Sequence, residues 1–292
     1  MTPTHQHAPH DHAHEHDHKH AHDDGIQAEI LDLDAEILAE HTASITAWLP
    51  LRTVPRRIVD LGCGTGAGTF ALLDRFPEAH VTAVDTSAGH LQLLREKARA
   101  RGVQEHLRVL RADLDAAAWP DLGTPDLVWA SASMHHMTDP GRVLRNIHEL
   151  LAPGGLFAVV ELSGLPRFLP ENAPENRPGL EERCHTAADR LHAEHLPHRG
   201  ADWGPMLTTA GFAVEGERTL TVRIEGDGND AIGRYAHGIL QRFRGGAAAA
   251  ELDPEDLIAL DELLDTDSPR GLLRRSDLSV RTERTVWAAR RA

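Results

Sequence analysis

Apolar residues follow two alternating spacings along the middle of the chain. Short runs rich in branched residues stand at 57–61, 80–84, 107–110, 127–130 and 156–161. Between them, apolar residues recur every three or four positions, over 66–75, 88–101 and 141–151. The runs are typical of buried strands, and the second spacing is typical of amphipathic helices. The alternation predicts right-handed βαβ units, and therefore a Rossmann-like, doubly wound, mostly parallel α/β sheet over residues 56–162.

The segments that flank this core have other patterns. Helical spacing over residues 25–55 predicts one or two N-terminal helices. Residues 163–200 are rich in Pro, Asn, Glu and His and predict an irregular-to-helical insertion. Strand patterns over 212–224 and 278–289 then enclose a helical stretch. We expect residues 163–292 to complete the same domain, with substrate-side insertions, added helices and an antiparallel C-terminal edge strand.

The first 24 residues form a histidine-rich tail with almost no apolar side chains. Such a segment gains little from burial to offset the entropy of ordering, so we predict that it is disordered. Neutral imidazoles at this density bind divalent metals with little selectivity. The residues that we expect to bind such ions are His10, His12, His14, His16, His18 and His20.

The composition and net charge of the chain limit the kinds of molecule that it is expected to bind. The net charge of −15 disfavours nucleic acid, because binding to nucleic acid depends on neutralising phosphates with Lys and Arg. No run of about 18 apolar residues is present, so no membrane span is predicted. Two cysteines offer no disulfide framework. We expect a cytoplasmic protein that acts on a small molecule; the oligomeric state is left open.

A glycine-rich loop directly follows the first predicted strand. The sequence VDLGCGTG over residues 59–66 places glycines where a tight turn and close approach of a ligand to the backbone need them. Asp85 ends the second strand about 20 residues later, as expected for an acid that holds ribose hydroxyls. Asp60 can contact a ligand, or it can cap the helix after the loop.

Two classes of protein fit the loop itself. Gly62, Gly64 and Ala67 match the dinucleotide fingerprint, which indicates an NAD-dependent oxidoreductase. The spacing of Asp60, Gly62, Gly64 and Gly66 closely resembles motif I of the class I S-adenosylmethionine-dependent methyltransferases. A carboxylate before the loop suits a ligand with an α-amino group and would repel a pyrophosphate.

Further signals in the same order extend this resemblance over residues 35–165. Asp113 resembles the family acid that contacts the adenine amino group, although nearby Asp115 is an alternative. Residues 126–130 resemble the motif whose backbone lines the methionine end, and 150–155 resemble the turn before strand five. The resemblance implies S-adenosylmethionine as the cofactor, held by Asp60, Gly62, Cys63, Gly64, Gly66, Asp85, Thr86, Asp113, Leu114 and Ala130.

Candidate catalytic residues follow the fourth and fifth strands. His135 and His136 lie where the small-molecule branch of the family often carries histidines, and either is a candidate general base. Each can instead shape the pocket by hydrogen bonding. Glu161 ends strand five and is a candidate contact to substrate. The expected reaction is methyl transfer to an oxygen or nitrogen atom of a small molecule, with carbon as a further alternative.

Two further features leave alternatives open: a group of histidines in the insertion, and the possibility of binding without catalysis. His185, His192, His195 and His198 have spacings that a metal site can use, although a solvated polar helix is the commoner origin of such a pattern. The whole chain can also be a non-catalytic protein that binds S-adenosylmethionine or a metal. A closed acceptor pocket, or one without polar groups near the reacting methyl group, would favour that alternative.

Overall fold

The helices and strands of the core are those that the hydrophobic spacing predicts. The computed structural model describes residues 12–226 and 229–291, with side chains described from residue 25 onward. The helices are α1 His12–Ile37, α2 Ala39–Trp48, α3 Ala67–Arg75, α4 Ala88–Arg101, α5 Pro140–Leu150, α6 Leu180–His195, α7 Trp203–Thr209, α8 Asp230–Gly245 and α9 Pro254–Leu264. The strands are β1 Arg57–Leu61, β2 His80–Asp85, β3 Leu107–Arg111, β4 Leu127–Ser131, β5 Leu156–Leu162, β6 Phe212–Glu225 and β7 Ser279–Arg291.

The strands form one sheet in the order β3-β2-β1-β4-β5-β7-β6. The first five strands are parallel, and β7 is antiparallel to both of its neighbours. The chain order reverses between β1 and β4, so the crevice outside the carboxyl ends of these strands is the expected ligand site. The mostly parallel sheet, with the antiparallel strand β7 in its C-terminal part, confirms the predicted fold class.

Both faces of the sheet are covered, which is why its central strands are apolar throughout. On one face, Val128 of β4 packs with Leu144 of α5 and Leu207 of α7. On the other face, Leu127 packs with Ile45 of α2 and Leu72 of α3. Burial of both faces is the usual state of a parallel sheet.

A second core joins the helices that the sequence places around the sheet. Ile30 of α1 packs in one cluster with Cys184 of α6, Ile232 of α8 and Leu260 of α9. We call α1, α6, α8 and α9 the helical cap. The predicted insertion over 163–200 thus contributes α6 to this cap and is irregular before Leu180.

The N-terminal segment differs from its prediction. Helix α1 begins at His12, so residues 12–24 of the predicted disordered tail are helical. Extending an existing helix adds one hydrogen bond for each residue fixed, and residues 25–37 pack in the cap and can nucleate it. The proposed metal contacts of the tail histidines lie outside the described side chains. In the described part of the chain, no helix has the length and apolar character required to cross a membrane.

Candidate active site

The glycine loop joins β1 to α3 in a backbone conformation that requires glycine. Gly62, Gly64 and Gly66 have φ angles of 69°, 52° and 103°, in the left-handed region. A Cβ atom at Gly62 would overlap the Cβ of Ser133, which follows β4. The Gly62 N–H donates to the Val84 carbonyl at 2.8 Å, which fixes the loop against the end of β2.

Asp85, at the end of the neighbouring strand β2, binds the backbone of the glycine loop. Its Oδ2 accepts the Gly64 N–H at 2.8 Å, and its Oδ1 accepts the Ser87 N–H at 2.8 Å. Burial acts to raise the pKa of Asp85, but the donors of His90, Ser87 and Gly64 outweigh it and lower the pKa. Asp85 is therefore an ionised acceptor at the strand end, as a contact to ribose hydroxyls requires.

Helix α1 lies across the same loop. The Thr65 hydroxyl donates to Asp32 Oδ1 at 2.5 Å, and Lys97 of α4 forms an ion pair with the same carboxylate. A Cβ atom at Gly64 would lie 3.2 Å from Leu31 Cδ1. The contacts from Leu31 and Asp32 make α1 a cover for the cofactor loop.

Two residues away in α1, Asp34 contacts the other side of the crevice. Its carboxylate accepts the Tyr235 hydroxyl at 2.6 Å and pairs with Arg284 at 2.6 Å. Arg284 belongs to β7 and pairs in register with Leu162, next to Glu161. Helix α1 therefore connects the glycine loop to the helices and strands that bound the acceptor side.

Asp60 lies beneath the loop and not at its surface. Its side chain is 2% exposed, and its Oδ2 accepts the Thr69 hydroxyl of α3 at 2.6 Å. Burial is the main cause that raises the pKa of Asp60 to about 7, opposed by the bond from Thr69. The structure thus gives Asp60 a contact with the helix after the loop, the alternative that the sequence left open. A contact with the cofactor stays a prediction.

The remaining predicted cofactor residues occupy the same edge of the sheet. Cys63, Leu114 and Ala130 are buried, whereas Thr86 and Asp113 are exposed after β2 and β3. The Cys63 thiol has a pKa raised by burial, which fits a packing role.

The structure also separates the two acids after β3. Asp115 accepts the N–H and hydroxyl of Thr138, each at 3.0 Å. Among the described residues, the side chain of Asp113 accepts only the local Asp115 N–H. Asp113 is therefore the freer of the two for an adenine amino group.

A buried histidine–carboxylate pair lies at the ends of β4 and β5. His135 Nδ1 is 2.6 Å from Glu161 Oε2, and the two residues are 5% and 2% exposed. Glu161 Oε1 accepts the Met134 N–H at 2.8 Å. A carboxylate that receives the Nδ1 proton fixes the imidazole tautomer and leaves Nε2 as the basic nitrogen. The pair has the arrangement of an oriented general base.

His136 has a different environment from its neighbour. Its ring centroid is 4.2 Å from that of His135, and its side chain is solvent-accessible. Protein atoms around the ring desolvate it and lower its pKa to about 4; the charges of His135, Arg199 and Arg242 act in the same direction. A group with so low a pKa is a weak proton acceptor at neutral pH. Of the two candidates, the geometry favours His135 as the base.

The histidines of the insertion differ in burial: on α6, His185 is buried, His192 is half-buried and His195 is exposed. His192 accepts a hydrogen bond from Arg199 Nη1 at 2.5 Å, and buried His185 stacks edge-on against Phe243 with 5.1 Å between ring centroids. His195 Nδ1 contacts the Leu191 carbonyl at 2.8 Å. Within the described ranges, no three potential ligands are grouped closely enough to hold a metal ion. These contacts give the histidines packing and hydrogen-bonding roles in the cap.

His185 makes the stability of the folded chain depend on pH. Burial, followed by the charges of Arg167, Arg199 and Arg281, lowers its pKa to about 3. Because the unfolded imidazole titrates near 6.5, the stabilising contribution is full above that pH and is lost as the pH falls toward 3. The free energy of unfolding of the wild-type chain should fall between about pH 7 and pH 4.5, and His185 should account for up to about 2–3 kcal/mol of that fall. We expect this part of the pH dependence to be absent in His185→Leu. Urea unfolding at both pH values checks this.

The matched control for that measurement is exposed His195 on the same helix. His195→Gln should leave the fall in stability unchanged within about 0.5 kcal/mol. An equal pH dependence in the wild-type chain and in His185→Leu would contradict the expected role of this imidazole.

The loop geometry fits S-adenosylmethionine. Gly62 and Gly64 adopt the left-handed conformations that the tight loop needs, and ionised Asp85 lies beside the loop at the end of β2. The cofactor carries a ribose diol and a cationic methionine end, and both suit a rim that carries an ionised carboxylate. Within residues 57–66 the one basic side chain is Arg57, at the far end of β1. Lys97 of α4 reaches the Thr65 carbonyl, but its charge is paired with Asp32, so the loop offers little positive charge to a pyrophosphate.

Comparisons with known proteins agree with this site. Residues 58–155 match the family model described as a methyltransferase domain. The trans-aconitate 2-methyltransferase of Methylobacterium nodulans is 30% identical over 231 residues, which cover 76% of this chain and 79% of the relative. That of Methylobacterium radiotolerans is 41% identical over 117 residues, and the match spans 42% of its length and 40% of this chain.

A solved structure shows the same fold. The YcgJ protein from Bacillus subtilis has a TM-score of 0.53 and 18% identity, over 86% of this chain and 98% of its own. The chain belongs to the class I S-adenosylmethionine-dependent methyltransferases. S-adenosylmethionine is the cofactor of this family, and the oxidoreductase interpretation of the glycine loop is therefore set aside.

One site residue escaped the sequence analysis. Asp32 reaches the loop from α1, where it accepts the Thr65 hydroxyl. It lies in no local motif and is 33 residues from Thr65. A contact between residues so far apart in the chain cannot be detected from the spacing of residues in a single sequence.

Proposed function

We propose that the chain methylates an oxygen or nitrogen atom of a small molecule, with His135 as the general base. The observation that carries the proposal is the 2.6 Å contact between His135 and Glu161 at the edge of the sheet that also holds the glycine loop. Glycine loop and base lie at the ends of adjacent strands, β1 and β4. A carbon acceptor is a further alternative.

Each group has a separate task in this proposal. When bound, S-adenosylmethionine supplies an electrophilic methyl group together with its own leaving group. Asp85 binds and orients the cofactor beside the glycine loop, and α1 covers it against water. Holding two reactants in line can contribute about 7–11 kcal/mol. His135 Nε2 accepts the proton of the acceptor hydroxyl or amine, while Glu161 stabilises the imidazolium that forms.

Two kinds of evidence support a small acceptor. The relatives reported above are named for methylation of trans-aconitate, a small molecule. The acidic chain, with a net charge of −15, is poorly suited to a nucleic acid. We place the acceptor at the carboxyl ends of β4 and β5, beside the pair of His135 with Glu161.

The second candidate is a protein that holds S-adenosylmethionine without transferring its methyl group. This candidate keeps the cofactor loop and gives His135 and Glu161 a structural role. Calorimetric titration with S-adenosylhomocysteine should give a micromolar Kd, with NADH as a control that does not bind. A screen of hydroxy acids, carboxylic acids and amines against isotopically labelled S-adenosylmethionine then separates the candidates. Cofactor binding without any labelled product would favour the second one.

A further inference from the structure

Helix α1 joins the helical cap through its apolar side. Ile30 and Leu33 are buried in the cap cluster. A Cβ atom at Gly238 of α8 would lie 2.9 Å from Ile30 Cγ1, so the glycine allows a close approach of the two helices. The Tyr235 hydroxyl of α8 also donates to Asp34 at 2.6 Å. Because close-packed elements transmit displacement to each other, we expect α1 and α8 to move as one unit.

The contacts of α1 with the glycine loop have a different character. Asp32 accepts the Thr65 hydroxyl and forms an ion pair with Lys97, and the side chains of Asp32 and Lys97 are 41% and 33% exposed. An ion pair with this exposure contributes little to stability, because water can replace either partner. Leu31 adds an apolar contact with the loop at Gly64. On the cofactor side, α1 is therefore held by contacts that are easily exchanged for water.

The neighbouring carboxylate of α1 is much more buried. Asp34 pairs with Arg284 of β7 at 2.6 Å, and their side chains are 21% and 12% exposed. Breaking a buried ion pair is costly, because each charge loses its partner without regaining full hydration. Leu278, which precedes β7, and Val280 within it also pack in the cap cluster. The cap is thus held firmly at β7 and weakly at the glycine loop.

The weak contact covers the place where the cofactor is expected. A Cβ atom at Gly64, a predicted cofactor contact, would lie 3.2 Å from Leu31 Cδ1, and Thr65 is 2% exposed. A ligand that approaches Gly64 from the side of α1 must therefore displace Leu31. Access from this side requires α1 to leave the loop.

We propose that the helical cap is a gate for S-adenosylmethionine and S-adenosylhomocysteine. Asp32 is its latch, and the pair of Asp34 with Arg284 is its pivot. The gate opens between α1 and the glycine loop when Asp32 releases Thr65 and Lys97, and it closes again over the bound cofactor. The proposal depends on the cofactor, and not on the identity of the acceptor or of the general base.

A latch that acts in both the free and the bound chain predicts a specific change in rate constants. Asp32→Asn removes the ion pair with Lys97 and weakens the bond from Thr65, so the open state becomes more populated with and without ligand. We expect the association and dissociation rate constants of S-adenosylhomocysteine each to rise about 3- to 10-fold, while the Kd changes less than about threefold. Surface plasmon resonance on the immobilised full-length chain measures both constants.

Two further variants separate the latch from general effects. Glu29→Gln also removes an exposed ion pair of α1, the one with Arg234 at 3.9 Å, but within the cap. It should change both rate constants less than about 1.5-fold. Lys97→Met breaks the pair of the latch from α4 and should raise both rate constants, as Asp32→Asn does. An unchanged melting temperature shows that each variant is folded.

Two results would overturn the gate. A rise in the dissociation rate constant alone in Asp32→Asn would mean that Asp32 only supports the bound cofactor. Unchanged rate constants in Asp32→Asn would mean that its contacts do not limit exchange of the cofactor. Neither result bears on the proposed methyl transfer, which the labelled-methyl screen tests by detecting product.

Discussion

Replacement of Glu161 by Gln should lower the rate of methyl transfer about 100-fold or more. The glutamine side chain keeps an oxygen that can accept the Met134 N–H. Its amide nitrogen would face His135 Nδ1 and force the ring proton onto Nε2, where the base must be unprotonated. General-base catalysis contributes typically about 100- to 10,000-fold, so His135→Gln should have an effect of the same size. Single-turnover transfer to an acceptor found in the screen measures both.

Two comparisons make this result specific. His136→Gln should lower the rate less than threefold, because an imidazole with a pKa of about 4 gains little as a base. The double variant His135→Gln with Glu161→Gln should be no slower than His135→Gln alone, since the two residues act as one unit. A loss under threefold in both single variants, with cofactor affinity intact, would reject His135 as the base.

Replacement of Asp85 by Asn should weaken binding of S-adenosylhomocysteine about 30- to 100-fold. Both carboxylate oxygens accept backbone N–H groups, from Gly64 and Ser87, so the amide nitrogen of Asn must face a donor. The loop loses its anchor and the ribose loses an ionised acceptor, together about 2–3 kcal/mol. Isothermal titration calorimetry measures the change.

Exposed Asp74, which pairs with Arg101 at 3.4 Å, supplies the control carboxylate. Asp74→Asn should leave the affinity for S-adenosylhomocysteine unchanged within twofold. That result would show that the loss of one negative charge is not by itself the cause of weaker binding in Asp85→Asn. If Asp85→Asn binds within threefold of the wild-type chain, the assignment of Asp85 to the cofactor fails.

The fold and the cofactor loop could be predicted from the sequence because the patterns that indicate them lie within short segments. Buried strands read as short apolar runs, and the glycines at 62, 64 and 66 report positive φ angles that no other residue adopts readily. The parallel arrangement then places Asp85 beside the loop, since successive parallel strands end at one edge. Local pattern and global topology agree in this half of the chain.

The remaining features depend on contacts between distant segments. Asp60 precedes the loop in sequence, but strand alternation turns its side chain toward α3 and into the protein. The pair of His135 with Glu161 joins residues 26 positions apart through the pairing of β4 with β5. Such contacts are set by tertiary structure, which the spacing of residues does not encode directly.

The position of β7 has a consequence for synthesis on the ribosome. Strand β6 is translated more than 50 residues before β7, yet in the described sheet it pairs with β7 alone. Until β7 leaves the ribosomal tunnel, β6 is a 14-residue strand without a partner, and β5 is left with an open edge. During synthesis, an unpaired strand edge can form backbone hydrogen bonds with strands of other chains. The charges of Glu215, Glu217, Arg218 and Arg223 on β6 counter this hazard while translation continues.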